Sequence, residues 1–200
     1  MHTIGLIGGI ACGKSAVAAA LARRGAVVFD ADKLGHRVLL DPDVRSVLTA
    51  RWGHAVLGPD GELDRSAIAK IVFGPAAESV AERRFLESVV HPGIRRQIEA
   101  GIRGLTRQTP AAVVDAALLV EAGWSDVCSA IVWIECPQNE RQRRAAARGW
   151  SADEFTRREA AQLPIEVKRR YATHMIDNSG PPERLEAAVA EFWDGLGRGG

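Results

Sequence analysis

The sequence predicts an α/β fold, a three-layer sandwich in which helices cover both faces of a parallel sheet of about five strands. Three observations predict it. Ala26-Val27-Val28-Phe29 is a continuous apolar run of strand length, and the short runs Ala112-Val113-Val114-Asp115 and Ala130-Ile131-Val132-Trp133-Ile134 suit strands buried on both faces. Helical patterns alternate with these runs, as the connections of a parallel sheet require. The first strand leads into Gly8-Gly9-Ile10-Ala11-Cys12-Gly13-Lys14-Ser15, a glycine-rich turn that opens a helix.

The elements follow in order. Thr3 to Ile7 is a short β-rich segment, and Ser15 to Arg24 repeats Val17, Ala18, Leu21 and Ala22 at helical spacing. Gly25 stops that helix, and Ala26–Phe29 makes the second strand, ending at Asp30-Ala31-Asp32. From Lys33 to Ile102 the pattern is mainly helical, broken by the turn signals Gly58-Pro59-Asp60-Gly61 and Phe73-Gly74-Pro75. This region, 33–108, reads as a helical insertion over the active edge of the sheet. Strand patterns return at Ala112–Asp115, Ala130–Ile134 and His174–Asp177. Gln138 to Arg170 is rich in Arg, Glu and Gln and reads as consecutive helices with little buried polar face, a candidate mobile lid over 138–170. Pro181-Pro182 opens a last amphipathic helix with Leu185, Val189 and Phe192 on one side, and Gly195 to Gly200 reads as a frayed tail.

Size and charge narrow the class. The 200 residues permit one core with embellishments, so 1–200 is taken as a single domain. A hydrophobic share of 46% with 26% charged residues belongs to a globular chain, not a disordered one. Lys and Arg number 26 against 25 Asp and Glu, a balance that argues against nucleic acid or an anionic membrane as a general partner. No apolar stretch approaches the ~20 residues of a bilayer span, and no signal peptide precedes the first strand. The expected compartment is the cytoplasm. Cys12, Cys128 and Cys136 are odd in number and lack C-x-x-C spacing, so free thiols are expected, with Cys128 and Cys136 acting as small buried hydrophobes.

Phosphate chemistry explains the glycine-rich turn. Concentrated negative charge is held by backbone N–H groups curling around a helix N-terminus, and glycines let the backbone curl and approach. The G-x-x-x-x-G-K-S spacing in a strand-to-helix context is that of the P-loop nucleoside triphosphatases. Gly8, Gly9, Ala11, Cys12, Gly13, Lys14, Ser15 and Ala16 are therefore expected to bind ATP, with Lys14 on the β- and γ-phosphates and the Ser15 hydroxyl on Mg²⁺. Cys12 has two readings. A thiol at a helix N-terminus can have a depressed pKa and be reactive, or it is a tolerated small side chain.

Ligands of an open α/β sheet lie at the carboxyl ends of its strands, where Asp30, Asp32 and Asp115 emerge. Asp32 suits the carboxylate that orients an acceptor hydroxyl and takes its proton, and Asp115 suits a place beside the acceptor and Mg²⁺. Asp32 as a helix N-cap is the competing reading. His36 and Arg37 follow one helical turn later, facing the acceptor or solvent. Arg141, Arg144 and Arg148, at spacings of three and four, read as one helix face of lid arginines for developing charge on the transferred group, or as a solvated face.

Several segments together resemble the dephospho-CoA kinase family over nearly the whole chain. They are GLIGGIACGKS, FDADKLGHRV, GELDRSAIAKIVF, LESVVHPGI, VVDAALLVEAGW, the Arg-rich stretch ending at Arg148, and IDNSG. The resemblance implies phosphorylation of the ribose 3′-hydroxyl of dephospho-CoA by MgATP, the last step of coenzyme A biosynthesis. It implies Asp32 as the acceptor-side catalytic carboxylate and Arg65, His91 and Glu121 as parts of the dephospho-CoA cleft. Arg144 and Arg148 would be nucleotide-facing lid arginines. For His91, ahead of Pro92, the rival reading is a residue that caps or packs a helix start; for Glu121 it is a surface acid. The chain departs from the family at Ala11, usually glycine; at Cys12, usually serine; at Ala16, usually Thr or Ser; at Thr173, commonly Asp; and at Ala117, often Pro. Two rival functions stand beside this one, another small-molecule P-loop kinase and a nucleotide-binding partner protein with little turnover, the latter suggested by Ala16.

Overall fold

The computed structural model describes residues 1–74 and 78–197. The turn signal at Pro75 and the tail residues 198–200 lie outside them. In chain order the elements are β1 His2–Gly8, α1 Lys14–Arg23, β2 Val27–Asp30, α2 Ala31–Val38, α3 Pro42–Trp52, α4 Arg65–Val72 and α5 Ser79–Arg103. After them come β3 Ala111–Asp115, β4 Ala130–Glu135, α6 Gln138–Ala146, α7 Ala152–Ala160, α8 Ile165–Arg169, β5 His174–Asp177 and α9 Pro182–Leu196.

Two compact units share these elements. The first, Met1–Asp30 with Gly101–Gly200, holds a five-stranded sheet of order β2-β3-β1-β4-β5, every neighbouring pair parallel. The apolar runs become β1, β3 and β4, which are almost wholly buried because a strand inside a parallel sheet is covered on both faces. The second apolar run is an edge strand, and its Val27 is exposed. Because the chain passes from β1 to β2 and returns to β3 between them, while β4 lies on the other side of β1, the strand order reverses at the carboxyl end of β1. That crevice is where ligands of such sheets sit.

Helix α1 forms because seven of the eight residues after Lys14 and Ser15 are Ala, Leu or Val with buried Val17, Ala18 and Leu21 on one side, and Gly25 at φ 97° ends it. It packs against α9, whose Leu185 and Val189 are buried as the periodicity requires, and Glu186 of α9 pairs with Arg23 and Arg24. Burying Leu21 completely contributes about 2 kcal/mol.

The second unit spans Ala31–Ala100. Asp41 and Asp64 cap α3 and α4 through hydrogen bonds from Asp43 N and Ser66 N. The turn at Gly58–Gly61 is a small hairpin closed by an antiparallel bridge between Leu57 and Leu63. Helix α5 runs through His91-Pro92, so the rival reading of His91 as a residue at a helix start does not hold. A proline inside a helix forfeits one backbone hydrogen bond, and here buried Val90, Gly93, Ile94 and Ile98 hold the helix on either side of it. At Gly93 a Cβ would stand 2.8 Å from Val38, so glycine lets α5 and α2 approach closely. Among the described residues no helix is long and apolar enough to cross a membrane.

Candidate functional site

Between the end of β1 and the start of α1 the backbone makes a cradle. Ala11 at φ 59° and Gly13 at φ 98° are left-handed, which turns successive N–H groups toward one side. Cys12 N–H closes the turn onto Gly9 O at 3.1 Å. The N-cap residue of α1 is Gly13, and among the described residues no side-chain cap hydrogen bond closes this helix end. Lys14 is half-buried, and Ser15 and Ala16 are exposed on the first turn.

Three side chains hold this loop from outside. Asn178, 6% exposed, donates Nδ2–H to Cys12 O at 2.7 Å. Arg144 donates Nη1–H to the same oxygen at 3.2 Å, Nη2–H to Asn178 O at 2.9 Å and Nε–H to Glu140 at 2.8 Å. Arg141 donates to Ile10 O at 3.3 Å, pairs with Glu159 and lies 5.5 Å over the Phe155 ring. Glycine is thus required at two loop positions by packing: a Cβ on Gly9 would stand 2.8 Å from Arg141 Nη1, and one on Gly13 would overlap the Asn178 amide.

The three arginines expected on one face fare differently. Arg141 is only 3% exposed, so the expectation that the 138–170 helices bury little polar face is corrected. Arg144 is half-buried against the loop. Arg148 lies beyond α6, exposed in a turn that Gly149 ends at φ 84° with Trp150 N–H returning to Ala145 O. Helix α6 ends at Ala146, so its three-and-four spacing does not extend to Arg148.

Burial favours the reading of Cys12 as a small, tolerated side chain over the reactive one. Its side chain is 1% exposed and packed under the loop against Gly8. Burial pushes the thiol above its ordinary 9.0, against the opposing pull of Lys14, its charge and its backbone N–H, and of Arg141. Cys136 is buried, and burial likewise raises its pKa. Cys128 is only half-buried, with its pKa raised to about 12 by burial and then by Asp126.

Asp115 ends β3 opposite Leu6 of β1 and opposite Asp30 of β2, so two carboxylate residues stand side by side at the strand ends next to the loop. The turn that follows carries Glu121, which is no surface acid. Its Oε1 pairs with Lys168 Nζ at 2.8 Å and accepts from Leu163 N–H at 3.0 Å. Lys168, 2% exposed, went unnoticed in the sequence, as did Asn178, Glu140 and Glu159 as loop supports. Asn178 sits in the IDNSG segment, where an amide directly after a strand end is the signal that was available.

In the second unit, Asp32 and His36 lie four residues apart on exposed positions of α2, with Asp32 inside the first turn and Arg37 exposed beside His36. Half-buried His91 lies on the part of α5 packed against α2 through Gly93–Val38 and Ile94–Gly35. Arg65 is exposed at the first position of α4.

Of the departures, Thr173 is remote from the phosphate loop. It joins the amino ends of β4 and β5, accepting from Ile131 N–H at 2.9 Å, whereas the loop is at the carboxyl end of β1. Ala117 contributes its backbone carbonyl, which accepts from Lys168 at 3.0 Å.

The family model for dephospho-CoA kinase matches residues 2–183. A dephospho-CoA kinase from Geobacter sulfurreducens is 43% identical over 197 residues, 96% of this chain and 98% of that one. A crystal structure of a Thermus thermophilus protein is 36% identical, covers 98% of this chain and 97% of that chain, and superposes with a TM-score of 0.79. A dephospho-CoA kinase from Campylobacter jejuni shares the fold at a TM-score of 0.72 with 22% identity, over 98% of each chain.

Proposed function

The chain belongs to the dephospho-CoA kinase family, and we propose how its residues divide the work of that reaction, the final step of coenzyme A biosynthesis. ATP supplies the phosphoryl group, and the acceptor is the ribose 3′-hydroxyl of dephospho-CoA.

The observation that most supports the reading is the uncapped amino end of α1 behind a loop with left-handed Ala11 and Gly13. In this reading the N–H groups of Gly8 to Ala16 cradle the phosphates and Lys14 neutralises the β- and γ-oxygens. Mg²⁺, when bound, offsets the charge that develops between those phosphates. Ser15 and Asp115 would hold it. Among the described residues no three His, Cys, Asp or Glu side chains gather as a cage, which suits an ion that takes most ligands from phosphate and water.

Asp32 orients the acceptor hydroxyl and receives its proton. His36, Arg65, His91, Asp115 and Glu121 bind the acceptor. Arg144, fixed against the loop by Cys12 O, Asn178 O and Glu140, offers its guanidinium to the charge of the transferred group without reorganising at the moment of transfer. Exposed Arg148 reaches the nucleotide.

A coupled ADP-release assay tests the reading. ADP should appear with dephospho-CoA and ATP together and far more slowly with ATP alone. A panel of other hydroxylated metabolites and nucleotides should be poorer acceptors, and a faster one would sink the assignment. Asp32→Asn should lower turnover by about 10²–10⁴-fold with ATP affinity nearly intact, and the reverse pattern would remove its assigned role.

A further inference from the structure

One buried cation has no part in the roles above. Lys168 of α8 donates to three acceptors, Glu121 Oε1 at 2.8 Å, Gln162 Oε1 at 2.8 Å and Ala117 O at 3.0 Å. An ammonium has three N–H groups, so all are satisfied. Burial lowers the Lys168 pKa from its ordinary 10.5, the Glu121 hydrogen bond and charge raise it again, and the Lys14 charge lowers it further. Packing alone does not call for a lysine here, since replacing a buried ion pair by apolar residues is often neutral or stabilising.

The acceptors come from two turns. Ala117 and Glu121 belong to the turn after β3, where the Leu118, Leu119 and Val120 carbonyls already accept from Ala122, Trp124 and Gly123 N–H. Ala117 O is served by Lys168. Gln162 and Leu163 belong to the turn between α7 and α8, and Leu163 N–H also donates to Glu121 Oε1. One oxygen of Glu121 therefore has two donors, while the other, Oε2, is buried with no hydrogen-bond partner among the described residues.

We infer that Lys168 is a positioning residue of the transfer, locking Glu121 through Oε1 to the α7–α8 turn and thereby fixing the turn after β3 that presents Glu121 to the phosphoryl acceptor. The inference rests on Glu121 as an acceptor-binding residue. The loop that takes ATP is held by Asn178, Arg141 and Arg144 instead, so loss of Lys168 separates the two substrates.

The experiment uses the full chain with Lys168→Met, Glu121→Gln and the double variant, measuring KM and kcat for each substrate together with Tm. Lys168→Met should raise the KM for dephospho-CoA at least about tenfold, the scale of one lost hydrogen bond to a charged group, and leave the KM for ATP within about twofold. The double variant removes the unpaired buried carboxylate, so its Tm should recover while its KM stays no higher than that of Glu121→Gln, as for two residues acting as a unit. A lower Tm with unchanged acceptor KM, or KM values for both substrates moving together, overturns the inference and leaves the family reading intact. An unmutated chain that does not phosphorylate dephospho-CoA removes both.

Discussion

Gly13 and Asn178 provide a quantitative check on how the phosphate loop is held. Gly13→Ala places a side chain at φ 98°, a left-handed conformation that costs an L-residue about 1–2 kcal/mol. Its Cβ would also overlap the Asn178 amide, driving Nδ2 off Cys12 O and losing a hydrogen bond now 2.7 Å long, worth about 1 kcal/mol. The single variant should therefore lose about 2–3 kcal/mol. Asn178→Ala loses the same hydrogen bond, but Cys12 O still accepts from Arg144, so no buried carbonyl is orphaned and the loss stays near about 1 kcal/mol.

The double variant decides the matter. The methyl group introduced by Gly13→Ala meets no amide in that background and the hydrogen bond is lost once, so its cost should equal that of Gly13→Ala alone, a coupling of about 1 kcal/mol. Urea unfolding followed by circular dichroism, with m-values unchanged across the cycle, measures it. Simple additivity of the two single losses would show that Gly13 and Asn178 do not meet as described.

Other predictions concern the same loop and its supports. Ala11→Gly should relieve the left-handed strain at φ 59° and, after the extra entropy that glycine loses, raise Tm by about 1–3 °C; a fall in Tm would contradict it. Cys12 should resist iodoacetamide in the folded chain whether or not ATP is present and react on denaturation, and fast labelling that ATP blocks would restore the reactive-thiol reading. Glu140, held by hydrogen bonds from Arg143 and then Arg144, has its pKa lowered from 4.5 to about 2. Its contribution to stability should be complete above the unfolded value, decline as pH falls below it and be gone once pH passes about 2. Glu140→Gln should flatten that part of the acid unfolding profile, and an unchanged profile would argue against the Arg143 and Arg144 contacts.

The most legible elements were those whose physical cause is local. Short apolar runs announced β3 and β4 because a parallel sheet buries both faces, and the loop was legible because phosphate binding fixes the spacing of its glycines and lysine. Local reasoning failed where a distant contact or a helix end decided the outcome. The three-and-four spacing of Arg141, Arg144 and Arg148 ran past the end of α6 at Ala146. His91-Pro92 resembled a helix start until the packing around Gly93 carried α5 through it. Asn178 meets Cys12 across 166 residues and Lys168 meets Ala117 across 51, distances over which periodicity carries no signal.

The same distinction bears on the three loop positions where the sequence departs from the pattern of the family it resembles. Asn178 and Arg144 grip the carbonyl of Cys12 and Arg141 grips that of Ile10, so these supports read backbone and are indifferent to the side chains there. Cysteine at position 12 then needs only to fill the space under Gly8, which its buried sulfur does. Ala16 projects from an exposed position, where a missing hydroxyl leaves no buried partner unsatisfied. Ala11 is different, because its left-handed angle makes the methyl group itself a cost. Among these three substitutions, strain is therefore expected at position 11 alone, which is why a single methyl deletion there discriminates between a loop shaped by its own sequence and one held in place by its neighbours.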